Sequence, residues 1–172
     1  MQDHFALLRH FLAALAYRTQ KALRFAPASF GAFRAASDVR TPAELVRHMT
    51  SVLGYARTRF IGGTYRPEPL PTFEEEIARF HATIGHLSTH LRQGDPLIET
   101  TPEQLLQGPF SDAMTHAGQL ALLRRLAGSP VPPENFIAAA IDTENTGPDQ
   151  ASPVSPDRQW SEAPPGWQAP ED

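Results

Sequence analysis

The sequence predicts an all-α protein, a four-helix bundle with a long crossover between helices two and three, followed by a disordered C-terminal tail from about residue 142. Three observations predict it. Apolar residues recur every three or four positions along separate stretches of helical length, the spacing that gathers them on one face. Threonine-led capping sequences at Thr41, Thr72 and Thr101 open helical segments, each satisfying backbone N–H groups that a helix start leaves open. The final stretch, by contrast, is rich in Pro, Gly, Ser, Asp and Glu and has few side chains that could offset the entropy of ordering it.

Over residues 3–23, Phe5, Leu8, Leu12, Leu15 and Ala22, joined by Leu7 and Phe11, give the first helix a wide buried face. His4 and His10 have no acidic or imidazole partner in phase and are expected at the surface. Pro27 and the run to Gly31 end the helical signal. Thr41-Pro42-Ala43-Glu44 then combines an N-cap, a proline at the first helical position and a capping-box carboxylate. The second helix runs from there to about Ile61, stopped by Gly62-Gly63. Its apolar face is Leu45, Met49, Val52, Leu53, Ala56 and Phe60, and His48 falls inside that stripe. Pro67, Pro69 and Pro71 favour an extended path up to Thr72. About ten extended residues reach on the order of 30 Å, the length of a helix of roughly 20 residues, so this connection can return along the whole bundle. Phe73, Ile77, Phe80, Ile84, Leu87 and Leu91 define the third helix, which Gly94-Asp95-Pro96 terminates. Thr101-Pro102-Glu103-Gln104 opens a further segment that is interrupted at Gly108-Pro109, and the fourth helix follows from Phe110 to Gly128 with Arg124 and Arg125 near its negative end. Residues 134–141 read as a short helical or extended flap.

A chain of 172 residues, 41% hydrophobic and 20% charged, has room for one ordinary core, assigned to residues 1–141 with 142–172 as the tail. Within the tail, Trp160 and Trp167 are the groups able to dock on the domain or on a partner. Truncation near Thr143 is expected to cost little stability. The absence of cysteine excludes disulfides, zinc–thiolate sites, iron–sulfur clusters and a thiol nucleophile supplied by the protein, so any metal must be held through nitrogen and oxygen. No apolar run approaches the roughly 20 residues needed to span a bilayer, and the N-terminus does not read as a secretory leader. A soluble, cytoplasmic protein with no membrane partner is expected. Basic residues dominate up to Arg66 although the net charge is −4. The arginines are scattered along the chain with no helix-turn-helix or single-strand-binding pattern, so nucleic acid is not an expected partner.

Asp112 and His116 lie four apart on the fourth helix, hence on one face, and that face continues into Leu120 and Leu123. An unpaired aspartate pointing inward there would cost several kcal/mol, about 2 or more, so a compensating group is expected. His48 shares its face with Val52, and His48, Asp112 and His116 together make a set of two histidines and one carboxylate. Such sets hold divalent metals while leaving positions open for water or substrate. The same spacing is compatible with a hydrogen-bonded Asp–His pair in a non-catalytic bundle, with His48 at its rim. The other helical pair, His86 and His90, flanks a stripe already occupied by Ile84, Leu87 and Leu91 and is expected in solvent. Gln119 and Tyr55 are candidates to orient a metal-bound histidine or water by hydrogen bonding. Gly118, which costs its helix about 1 kcal/mol relative to alanine, suggests close approach of another helix or of a ligand.

The stretches Thr41-Pro-Ala-Glu-Leu-Val-Arg-His48 and His116-Ala-Gly-Gln-Leu-Ala-Leu-Leu-Arg-Arg-Leu-Ala-Gly128 resemble the DinB/YfiT-like metalloenzyme superfamily, over about residues 1–140. The resemblance implies a bundle with a crossover after helix two, and a divalent metal held by one histidine on helix two and two histidines one turn apart on helix four. His48 and His116 match the first and last ligands. Asp112 stands where the middle histidine would be, which makes the site more anionic and harder and shifts expectation toward iron, manganese or zinc over nickel. The resemblance further implies a metal-dependent thiol S-transferase or hydrolase acting on a small-molecule thiol or electrophile, the ion lowering the pKa of bound water or thiol. Two other readings stand beside it: a non-catalytic bundle that forms a homodimer or binds a partner, and a metal-binding protein without turnover.

Overall fold

The computed structural model describes residues 2–154 and 163. Its elements are α1 (Gln2–Leu23), a 3-10 turn at Phe30–Ala32, α2 (Pro42–Ile61), α3 (Phe73–Gln93), the single turn α4 (Pro102–Leu105), a π-helical segment at Leu106–Phe110, α5 (Ser111–Leu126) and a 3-10 turn at Phe136–Ala138. All three capping boxes form. At Thr41, for example, the side chain accepts from the Glu44 N–H at 3.2 Å while Glu44 accepts from the Thr41 N–H at 2.7 Å. That backbone bond, aided by Arg34, holds the Glu44 carboxyl below the usual carboxylate range.

Helix directions follow from contacts at their ends. Arg47 meets Glu76 at 3.7 Å near the starts of α2 and α3, and Phe60 stacks on His90 near their ends, so the two helices run parallel. The connection between them therefore crosses the length of the bundle, as its proline-rich composition predicts. It is pinned on the way by the Tyr65 ring, which lies on Gly54 so closely that an added Cβ would come within 2.0 Å of it. Glu76, almost fully buried, then accepts from the Leu70 N–H at 2.9 Å, and Arg79 donates to the Glu68 carbonyl at 2.8 Å. Phe11 stacks on Phe110, and Arg124 at the end of α5 donates to the Ala22 and Arg24 carbonyls at the end of α1, so α1 and α5 are also parallel. Phe5 meets Phe60 edge-on, placing α1 antiparallel to α2. Leu12, Leu15, Met49, Leu53, Phe80, Ile84, Leu87 and Leu120 fill the space between the helices and are fully enclosed.

No helix or strand occurs among the described residues beyond Ala138. Residues 142–151 are nonetheless held to the bundle, which revises the expectation that truncation near Thr143 costs little. Glu144 pairs with Arg9 and with Arg92, the latter at 3.3 Å. The Thr146 carbonyl lies 2.8 Å from Nδ1 of buried His81, and the Gln150 carbonyl accepts from Arg24 at 2.6 Å. This strap across α1 and α3 is fastened by charged and polar groups, so a search for apolar side chains passes over it. Trp160 and Trp167 lie outside the described residues. Among the described residues no helix is long and apolar enough to cross a membrane.

Candidate metal centre

α2 and α5 pack antiparallel, and this brings His48 two turns into α2 against His116 of α5, with ring centroids 4.8 Å apart and planes at 76°. The π-helical segment before α5 contains Gly108 outside helical backbone values and Pro109, and it sets the register at which Asp112 enters the first turn of α5. One donor atom from each of His48, Asp112 and His116 lies within 4.8 Å of the others. The predicted set therefore converges. Donors sharing an ion at about 2.0 to 2.2 Å stand roughly 3 to 4 Å apart. His116 Nε2 and Asp112 Oδ1 already do, at 3.3 Å.

His116 is the fixed member of the set. It is buried, and its Nδ1 lies 2.7 Å from Gln119 Oε1, so Nδ1–H donates to the amide oxygen and Nε2 is left with its lone pair. Nε2 is buried and makes no hydrogen bond, its approach to Asp112 lacking hydrogen-bond geometry. Two acceptors thus face one another, and either a proton or a metal cation between them resolves the conflict. Burial holds the His48 pKa below its ordinary value, with Arg40 and His116 acting in the same direction and Asp112 opposing. The ring is accordingly in the neutral form that ligates metals at neutral pH. Nitrogen and carboxylate donors suit iron, manganese or zinc.

Several expectations are corrected. Asp112 does not point into the core: its side chain is 49% exposed and lines a cleft beside Gly108 and Pro109 of the π-helical segment, so no large burial cost has to be compensated. Gln119 orients His116 as expected, but Tyr55 does not reach either histidine; it is exposed, its hydroxyl engages Arg59, and its ring lies under that guanidinium. Tyr55 instead lines the same cleft as Asp112, with Val52, Gly108 and Pro109. Gly118 is not approached by another helix, since an added Cβ would meet nothing within 4 Å. Gly118→Ala is therefore expected to stabilise the protein by up to about 1 kcal/mol in denaturant titrations, with metal content unchanged. His86 is exposed and His90 is bonded to Asp95 at 2.7 Å, so that pair does not form a joint site.

A group of arginines that no spacing along the chain brings together meets in the fold. Arg34, Arg40, Arg47 and Arg66 line one open cleft of about 490 Å3 together with His48 and Ser51. They come from the loop before α2, from α2 and from the crossover, so their clustering is a product of the fold. The one local signal was Arg47 beside His48.

No protein family model matches this chain, and no curated protein or solved structure is significantly similar to it.

Proposed function

We propose that this chain is a divalent-metal-binding, DinB-like protein that uses the ion as a metal-dependent thiol S-transferase or hydrolase. The observation that carries the reading is the convergence of two imidazoles and a carboxylate around a buried ring nitrogen without a hydrogen-bond partner. The ordered set of His48 on the second helix and His116 on the last, in a bundle with a crossover, supports the family likeness drawn from the sequence.

Each residue has a distinct part. His116, tied down by Gln119, supplies a nitrogen whose position does not depend on solvent. His48 supplies a second nitrogen from the facing helix, and Asp112 a carboxylate from the lining of the cleft. An iron, manganese or zinc ion held by these groups supplies Lewis acidity that makes water or an incoming thiol nucleophilic near neutral pH. His48 lines one open cleft and Asp112 the neighbouring one, and either would admit a small-molecule thiol or electrophile to an ion held by these groups. Protein purified without a histidine tag should take up a stoichiometric amount of at least one of these ions, and the loaded protein should turn over members of a panel of thiols and electrophiles. Stoichiometric metal without turnover would favour a binding protein. Absence of metal would return the His116–Asp112 pair to a structural role in a non-catalytic bundle.

A further inference from the structure

The cleft beside His48 carries more positive charge than its own acids neutralise. Arg34 is engaged by Glu44, at 3.2 Å, and by the Val39 carbonyl; Arg47 is 3.7 Å from Glu76, which Arg79 also pairs. Arg40 and Arg66 have neither an ion-pair nor a hydrogen-bond partner among the described residues, yet both face this cleft. Asp38 is the other acid in its lining. Ser51 lines both this cleft and the neighbouring one that contains Asp112 and Tyr55, so the two clefts adjoin, with His48 in the wall of one and Asp112 in the wall of the other.

Unpaired guanidinium groups in a concave site beside a candidate reaction centre have a chemical meaning. Each presents a planar fork of donors that matches the paired oxygens of a carboxylate or phosphate, and concave walls strengthen the attraction. We propose that Arg40 and Arg66 form an oxyanion seat, so that the molecule acted on at the His48–Asp112–His116 centre is a small anion carrying a carboxylate or phosphate. The seat holds the anionic end, and the reacting group lies toward the ion. Thiols or electrophiles without such a group lack this anchor. That the anion is a substrate rests on the metal reading given above; the seat itself rests on the arginines.

Calorimetric titration of the full-length protein at low ionic strength, with inorganic phosphate and separately with succinate as probes, tests this. Saturable binding of either is expected; phosphate alone would assign the seat to phosphoryl compounds, succinate alone to carboxylates. Arg40→Gln combined with Arg66→Gln should weaken that binding about tenfold or more, as expected for loss of charge-assisted hydrogen bonds, while the exposed positions leave thermal unfolding unchanged. His48→Ala combined with His116→Ala should keep binding of the same probe within about threefold, since the arginines remain. Binding of neither probe, or equal binding by the arginine variant, would overturn the seat. Arginine-dependent binding in a protein that takes up no metal would instead overturn the metal reading and leave the seat in place.

Discussion

Replacing His116 with alanine is expected to abolish stoichiometric metal binding, because it removes the donor that the fold holds most rigidly. The ring is buried and fixed by Gln119 at 2.7 Å, whereas Asp112 is half exposed and His48 half buried. Loss of a nitrogen ligand leaves two donors on different helices, too few to compete with water for a divalent ion. Asp112→His should retain the ion, since an imidazole at that position also reaches the set, but should shift preference toward softer, nitrogen-loving metals such as nickel. Gln119→Ala should act through His116 and weaken metal affinity by about 10-fold or more without removing a ligand. Metal content after dialysis, followed by competition with a chromogenic chelator, reads all three. Affinity that survives loss of both His48 and His116 would place the ion elsewhere.

The second large effect concerns the strap. A chain ending at Ile141 loses the Glu144 pairs with Arg9 and Arg92, the bond between His81 and the Thr146 carbonyl, and the bonds from Arg24 to the Gln150 and Ala151 carbonyls. The exposed ion pairs count for little, but the bond to buried His81 and the loss of cover over that ring are worth on the order of 1 to 2 kcal/mol. Truncation at Ile141 should therefore lower Tm by roughly 3 to 8 °C for a domain of this size, relative to a chain ending at Ser152 that keeps every one of these contacts. A pH signature accompanies it. Burial holds the His81 pKa below its ordinary value of 6.5, with the Thr146 bond opposing. Below about 6.5 the unfolded chain binds a proton that the folded chain does not, so this group's contribution to stability declines as pH falls through that value toward the folded pKa. The chain ending at Ile141, with His81 uncovered, should lose less stability between about pH 7 and pH 5 than the full-length protein. His48 titrates in both chains, so the difference between them isolates His81.

The contrast between these two regions shows what could be read from the residues and what could not. The helices, their capping boxes and the parallel α2–α3 arrangement were legible because they depend on local spacing and on a proline-rich connection too long for a hairpin. His48, Asp112 and His116 were legible as a set because helix phase places each near one seam. The exposure of Asp112 was not, since helix phase put it on the face of Leu120 and Leu123, whereas in the fold it borders a cleft together with Gly108 and Pro109. Gly118 invited a packing explanation that belongs to Gly54, where the Tyr65 ring does press on the helix. The strap and the arginine cleft escaped for a common reason: both are assembled from residues far apart in the chain and held or defined by polar groups, and apolar periodicity carries no information about either.

The proposed ion would sit between α2 and α5, on His48, Asp112 and His116. Anomalous diffraction at the absorption edge of the bound metal, from crystals of untagged protein equilibrated with zinc or manganese, locates it most directly. A single strong peak is expected about 2.0 to 2.2 Å from His116 Nε2, within reach of His48 and Asp112, with His116 still bonded to Gln119. A peak at His86 and His90 instead, or none at the seam between α2 and α5, would contradict it.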